Sequence, residues 1–148
     1  MKKVILVVFC VLMVLGSILP IYATDQKTEY VQQQPRLNYA DDYDTSLTIS
    51  SSGVAEATVW YAGNPSTFTE VTVETYIQKK TLGLFWKKVD IGENGNTWVD
   101  RSTSLSGTFV HTVQLENTGN YRAVFQITFS GTGGEDDVIE DTITCSYE

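Results

Sequence analysis

Asn120-Tyr121-Arg122-Ala123-Val124-Phe125-Gln126-Ile127-Thr128-Phe129-Ser130 decides the fold class. Tyr121, Ala123, Phe125, Ile127 and Phe129 share one parity, while Arg122, Gln126, Thr128 and Ser130 share the other, with Val124 the one apolar exception among them. A period of two places the apolar set on one face of an extended strand, whereas a helix would need apolar spacings of three and four.

The same texture recurs outward from this stretch. Seven strand-like segments can be drawn: 46–50, 55–61, 70–80, 85–91, 106–115, 120–130 and 138–147. The breaks carry turn residues, among them Ser52-Gly53, Gly63-Asn64-Pro65, Asn94-Gly95-Asn96, Asn117-Thr118-Gly119 and Gly131-Thr132-Gly133-Gly134. Alternation returns in the last segment, where Ile139, Ile143, Cys145 and Tyr147 oppose Glu140, Thr142, Thr144 and Ser146. Val71, Val73, Thr75 and Ile77 form another such face, and Phe109, Val113 and Leu115 a third. Several strands with one buried face each predict two antiparallel sheets packed face to face. No helical pattern competes, and no internal repeat is evident.

Asn117-Thr118-Gly119-Asn120-Tyr121-Arg122-Ala123 resembles the Asp-x-Gly-x-Tyr-x-Cys signature that opens strand F of immunoglobulin-like domains. The resemblance implies an all-β, antiparallel two-sheet immunoglobulin-like sandwich of about seven strands, with Tyr121 bonding back to nearby backbone. Asn117 stands where that signature has Asp, and Ala123 where it has Cys, so the inter-sheet disulfide is absent. A second pattern, Ile77-Gln78-Lys79-Lys80, Trp86, Tyr121-Arg122 and the late Glu140, is similar to an uncharacterised family of small secreted Firmicutes proteins. That resemblance implies an exported Gram-positive sandwich and supplies no activity.

The N-terminal end reads as an export signal. Met1-Lys2-Lys3 is basic, 4–19 is apolar or small, Pro20 breaks a helix, and Ile21-Tyr22-Ala23 offers a cleavage site. The rival is an uncleaved anchor, since 4–23 is about the ~20 residues that a membrane helix needs. Phe9 before Cys10 is not the small residue of a lipoprotein site. Residues 24–44 are polar and aperiodic and read as a flexible leader, leaving 45–148 for the sandwich. The chain ends on its last strand with no LPxTG-type sorting signal, so the expectation is a secreted product, retained at the cell surface by noncovalent contacts if at all.

The 148 residues carry 10 Lys+Arg against 18 Asp+Glu, a formal net charge of −8. Removing Lys2 and Lys3 with the signal leaves 8 basic residues and a net charge of −10. Nonspecific nucleic-acid binding is carried by phosphate-neutralising cations, so this balance argues against it. With one cysteine after residue 23, an intrachain disulfide framework is excluded and stability must come from an apolar core. No integral membrane domain is expected beyond the signal.

Catalysis has little to build on. His111 is the single histidine and shares its parity with Phe109 and Val113, as a partly buried structural residue would. Cys145 has three readings, as nucleophile, dimerising thiol or core residue, and its place between Ile143 and Tyr147 favours the core. Acidic clusters at Asp41, Asp42, Asp44 and at Glu135, Asp136, Asp137 match no EF-hand loop; solvated charge is weighed there against a calcium site. Glu56, Glu70, Glu74 and Glu116 read as scattered, which leaves no paired carboxylates for glycoside hydrolysis. No catalytic residue, metal or cofactor is assigned.

One segment departs from the acidity. Lys79, Lys80, Lys87 and Lys88, half of the basic residues after position 23, bracket Thr81-Leu82-Gly83-Leu84-Phe85-Trp86 on an expected hairpin. As a binding element, these lysines with Leu84, Phe85 and Trp86 suit a cell-wall polymer, an anionic membrane surface or a surface protein, and require Leu84 or Phe85 to be exposed. As structure, Trp86 is core and the lysines are edge-strand charges that block aggregation. The expected function is a noncatalytic binding or surface-interaction domain; the alternative is a structural protein self-associating through sheet edges or Cys145. Intact mass of the secreted product checks the export reading: a chain beginning at Thr24 is expected, and a product retaining 1–23 would make that segment an anchor.

Overall fold

The computed structural model describes residues 37–92 and 94–148. The expected signal peptide at 1–23, and the leader as far as residue 36, lie outside the described residues. Eight strands run β1 (Ala40–Ile49), β2 (Val54–Gly63), β3 (Phe68–Thr81), β4 (Phe85–Lys88), β5 (Trp98–Ser102), β6 (Ser106–Gln114), β7 (Gly119–Gly131) and β8 (Asp137–Tyr147). One sheet has the order β1-β2-β6; the other has the order β4-β3-β7-β8, with β5 also paired to β3. All the pairings are antiparallel. The fold is thus an all-β immunoglobulin-like sandwich.

The alternation read from 120–130 is realised in the core. Tyr121, Ala123, Phe125, Ile127 and Phe129 are buried, and face Leu47, Ala57, Val59 and Tyr61 of the other sheet within one apolar cluster. Register pairs Val73 with Ile127 and Ile77 with Ala123, so the inward residues of β3 and β7 lie side by side. Tyr61 stacks on Phe109 at 5.5 Å between ring centroids and meets Phe129 edge-on at 6.3 Å, which joins the two sheets near the ends of β2 and β7. Val124 points to the outer face yet is only 3% exposed, flanked there by its register partners Tyr76 and Thr142.

Two expectations change. The leader expected to run to residue 44 overlaps β1, because Tyr39 and Ala40 are buried. Asp137 anchors this segment: its carboxylate accepts the backbone N–H of Asn38 at 2.8 Å and of Tyr39 at 2.7 Å. Tyr39 then lies against Gly131, where a Cβ would approach its ring to 2.1 Å, so the glycine is the seat for the ring. The second change concerns the segment expected over 85–91. Strand pairing stops at Lys88, the chain loops out through Gly92 and Gly95, both with positive φ, and β5 then resumes pairing with β3 at Trp98. Five residues with two charges among them gave β5 too little apolar alternation to be seen.

Tyr121 behaves as the strand F signature implies. Its buried ring is in the core and its hydroxyl donates to the Asn117 carbonyl oxygen across the β6–β7 turn. Replacing Tyr121 with Phe removes that bond and leaves the carbonyl without it, at a cost of about 1–2 kcal/mol. Urea unfolding is expected to show a lower midpoint with an unchanged m-value.

Candidate functional site

The β3–β4 hairpin is built by sequence at both of its ends. Pairing of Gln78 with Lys88, Lys79 with Lys87, Lys80 with Trp86 and Thr81 with Phe85 leaves residues 82–84 to span the tip. Leu84 N–H donates to the Thr81 carbonyl at 3.1 Å, and Leu82 and Gly83 have φ of 51° and 69°. Two positive φ values in succession match the handedness of the turns that hairpins favour, where Asn-Gly is the preferred pair. Here a leucine occupies the first of them. Leu82 is 89% exposed, Leu84 76% and Phe85 64%.

Alternation divides the expected contact residues between two faces. Lys80, Trp86 and Lys88 point outward with Tyr76, Gln78 and Arg122; Lys79 and Lys87 share the opposite face. Trp86 is therefore no core residue, contrary to the structural alternative. It is half-buried on the outer face, with the Arg122 guanidinium 4.4 Å and the Lys80 ammonium 5.8 Å from its ring centroid. Arg122 Nε donates to Gln78 Oε1 at 2.7 Å, which holds the guanidinium over the indole. Gln78, Trp86 and Arg122, far apart in the chain and all part of the second sequence pattern, are thus one contact. Glu140 is separate and accepts from Gln126 at 3.4 Å.

Lys88 continues the ladder. Its ammonium lies 4.2 Å from the Tyr76 ring centroid and donates to Thr97 Oγ1 at 2.7 Å. Lys79 crosses Gly119 and ends 5.5 Å from the Tyr121 ring centroid. Behind the hairpin, Lys79, Lys87 and Lys88 line an open cleft of about 430 Å³ together with Asp90, Glu116, Gln114 and Tyr121. Among the described residues, none of these lysines, nor Arg122, has a carboxylate oxygen within 4 Å; the one such pair joins His111 to Asp100. Lys87 and Lys88 do stand on the edge strand β4, so for these two the edge-charge half of the structural alternative is compatible with the geometry.

The other candidates are placed plainly. His111 Nε2 lies 2.6 Å from Asp100 Oδ2, and its ring stacks on Trp98 at 4.8 Å, so it ties the edge strands β6 and β5 of the two sheets. Sequence reasoning missed Asp100 and Trp98 because it drew no strand there. Cys145 is a free, half-buried thiol packed against the core. Glu56 lies on β2, Glu70 and Glu74 on β3 and Glu116 in the β6–β7 turn, on different parts of the surface. Asp42 and Asp44 are exposed on β1, and Asp137 is engaged by backbone amides. Among the described residues no three acidic, histidine or cysteine side chains gather as a metal-binding group. Tyr43 keeps its proton more firmly than an ordinary tyrosine, through burial and then the charges of Asp141 and Asp42, but it lies on β1 and not at the hairpin.

No protein-family profile and no curated protein matches the chain. Among solved structures it is similar to wild-type OgpA from Akkermansia muciniphila, at 17% identity and a TM-score of 0.40. The match covers 78% of this chain and 28% of that one, and a likeness of this degree carries no functional argument.

Leu82 gives the test of the tip. A β-carbon in left-handed backbone costs about 1–2 kcal/mol, and asparagine tolerates that conformation better. Leu82→Asn is therefore expected to raise stability by roughly 0.5–1 kcal/mol, read as a higher urea midpoint. An unchanged or lower midpoint would show that the leucine is held there for stability.

Proposed function

We propose that this protein is an exported, noncatalytic binding domain that contacts an anionic surface of the cell envelope through its β3–β4 hairpin. The observation that carries the reading is the cluster Lys79, Lys80, Lys87, Lys88 and Arg122, which among the described residues has no carboxylate oxygen within 4 Å, in a chain of net charge −8. Asp90 and Glu116 line the cleft behind the hairpin, yet neither comes within 4 Å of these cations. Aromatic faces hold four of the five instead, Lys79 at Tyr121, Lys80 and Arg122 at Trp86 and Lys88 at Tyr76, which positions them without consuming their charge.

Export rests on the apolar 4–19 stretch and the Ala23 cleavage site; among the described residues, no helix is long and apolar enough to cross a membrane. Retention at the surface then depends on noncovalent, salt-screened attraction.

Binding of the secreted chain to a purified envelope preparation checks the reading. Replacing Lys79, Lys80, Lys87 and Lys88 with glutamine is expected to weaken it by roughly tenfold or more at low salt, with a shallower salt dependence. Equal binding by the two proteins would defeat the role of the hairpin.

A further inference from the structure

The proposed electrostatic contact leaves the tip unexplained. Leu82, Leu84 and Phe85 are 89%, 76% and 64% exposed, and a Cβ placed on Gly83 would meet nothing within 4 Å. Among the described residues nothing covers them, and Leu82 adopts left-handed backbone to stand where it does. A water-soluble polyanion would engage the cations and the aromatic faces but has no use for three bare aliphatic and aromatic side chains. The cleft beside the tip is no apolar seat for a second copy's tip, since Lys79, Lys87, Lys88, Asp90 and Glu116 line it.

We infer that the hairpin docks on an anionic lipid bilayer, inserting Leu82, Leu84 and Phe85 into the headgroup–acyl boundary while the lysines and Arg122 meet the lipid phosphates. This deepens the proposed function and rests on its reading of the hairpin as the contact surface. Strand geometry supports the depth. At about 3.3 Å per residue, Lys80 and Lys87 lie one to three residues behind the tip and Lys88 slightly farther, the spacing needed if apolar groups penetrate roughly 5–10 Å. Trp86 lies level with its register partner Lys80, one residue behind Phe85, where an indole with an apolar body and a polar edge suits a membrane interface.

The charge pattern agrees with the docking orientation. The outer face around the hairpin carries Lys80, Trp86, Lys88, Gln78 and Arg122, and the acids of that face among the described strand residues, Glu70, Glu74 and Glu140, lie farther along β3 and β8. An anionic bilayer approached from the tip therefore meets the basic end first. Asp90 and Glu116, at the cleft behind the hairpin, oppose a flat approach and favour a tip-first one.

The test uses the full secreted chain and three probes: vesicles of phosphatidylglycerol and phosphatidylcholine in equal parts, vesicles of phosphatidylcholine alone, and soluble poly(glycerol phosphate). A tip variant, Leu82→Asn with Leu84→Ser and Phe85→Ser, is compared with the parent; its folding is checked by urea unfolding, since all three side chains are solvent-facing. The parent is expected to sediment with the phosphatidylglycerol vesicles, and much less with phosphatidylcholine alone. The tip variant is expected to lose roughly tenfold or more of its vesicle binding while keeping its affinity for poly(glycerol phosphate). Vesicle binding that survives in the tip variant overturns the inference. So does a parent that binds poly(glycerol phosphate) but neither kind of vesicle, although the proposed anionic contact then stands; binding to none of the three overturns both. A concentration-dependent oligomer of the parent that the tip variant abolishes would assign the tip to a second copy and also overturn the inference.

Discussion

The pairing of β3 with β7 sets the position of everything at the candidate surface. Its register runs from Phe68 opposite Gly131 to Lys79 opposite Tyr121. The apolar inward positions of β3 end at Ile77, but the strand continues to Thr81, so its last residues are carried beyond the core by ladder hydrogen bonds and cation–π contacts. Beyond that point lysine takes the inward position at 79 and β4 becomes the only neighbour for Lys80 and Thr81. The hairpin is thus an extension of a core strand. Its rigidity derives from the packed part of β3, and its exposure follows from having outrun the facing sheet's contribution to the core.

Arg122 couples that extension back to the body. As the residue after Tyr121 it is placed by the same turn that sends the Tyr121 hydroxyl to Asn117, and it reaches across β3 to the indole of a strand two positions away in the sheet. One short sequence, Tyr121-Arg122, therefore fixes a core corner with one side chain and a surface brace with the next, because successive residues of a strand point to opposite faces. Cation–π contact holds the brace without consuming charge, unlike a salt bridge. The result is a positioned, positively charged edge on an acidic domain, joined to an apolar tip whose backbone departs from the local preference of its first residue.

Much of this was legible in the sequence, and the rest was not for identifiable reasons. The two-sheet fold followed from the alternation of 120–130, since burial on one face leaves a period of two. The hairpin and its Leu82-Gly83 tip followed from the bracketing lysines and the glycine. The placement of Trp86 did not, because parity within four residues does not say which face is inward; only its register partner Lys80 decides it. β5 was hidden because Asp100 and Arg101 interrupt its apolar character, and with it the Asp100 partner of His111. The start of β1 was hidden because Asp41, Asp42 and Asp44 resemble a solvated leader, while the residue that orders it, Asp137, lies 98 positions from Tyr39. Long-range partners of this kind leave no local signal.

Hydrogen–deuterium exchange of the intact secreted chain on anionic envelope membranes tests the central claim most directly, because it locates the contact without altering any residue. Protection concentrated in residues 78–88, with the ends of β6 and β8 unchanged, is the result the account predicts. Protection centred on the outer face of β2 around the exposed Trp60, with the hairpin exchanging as in free protein, would contradict it.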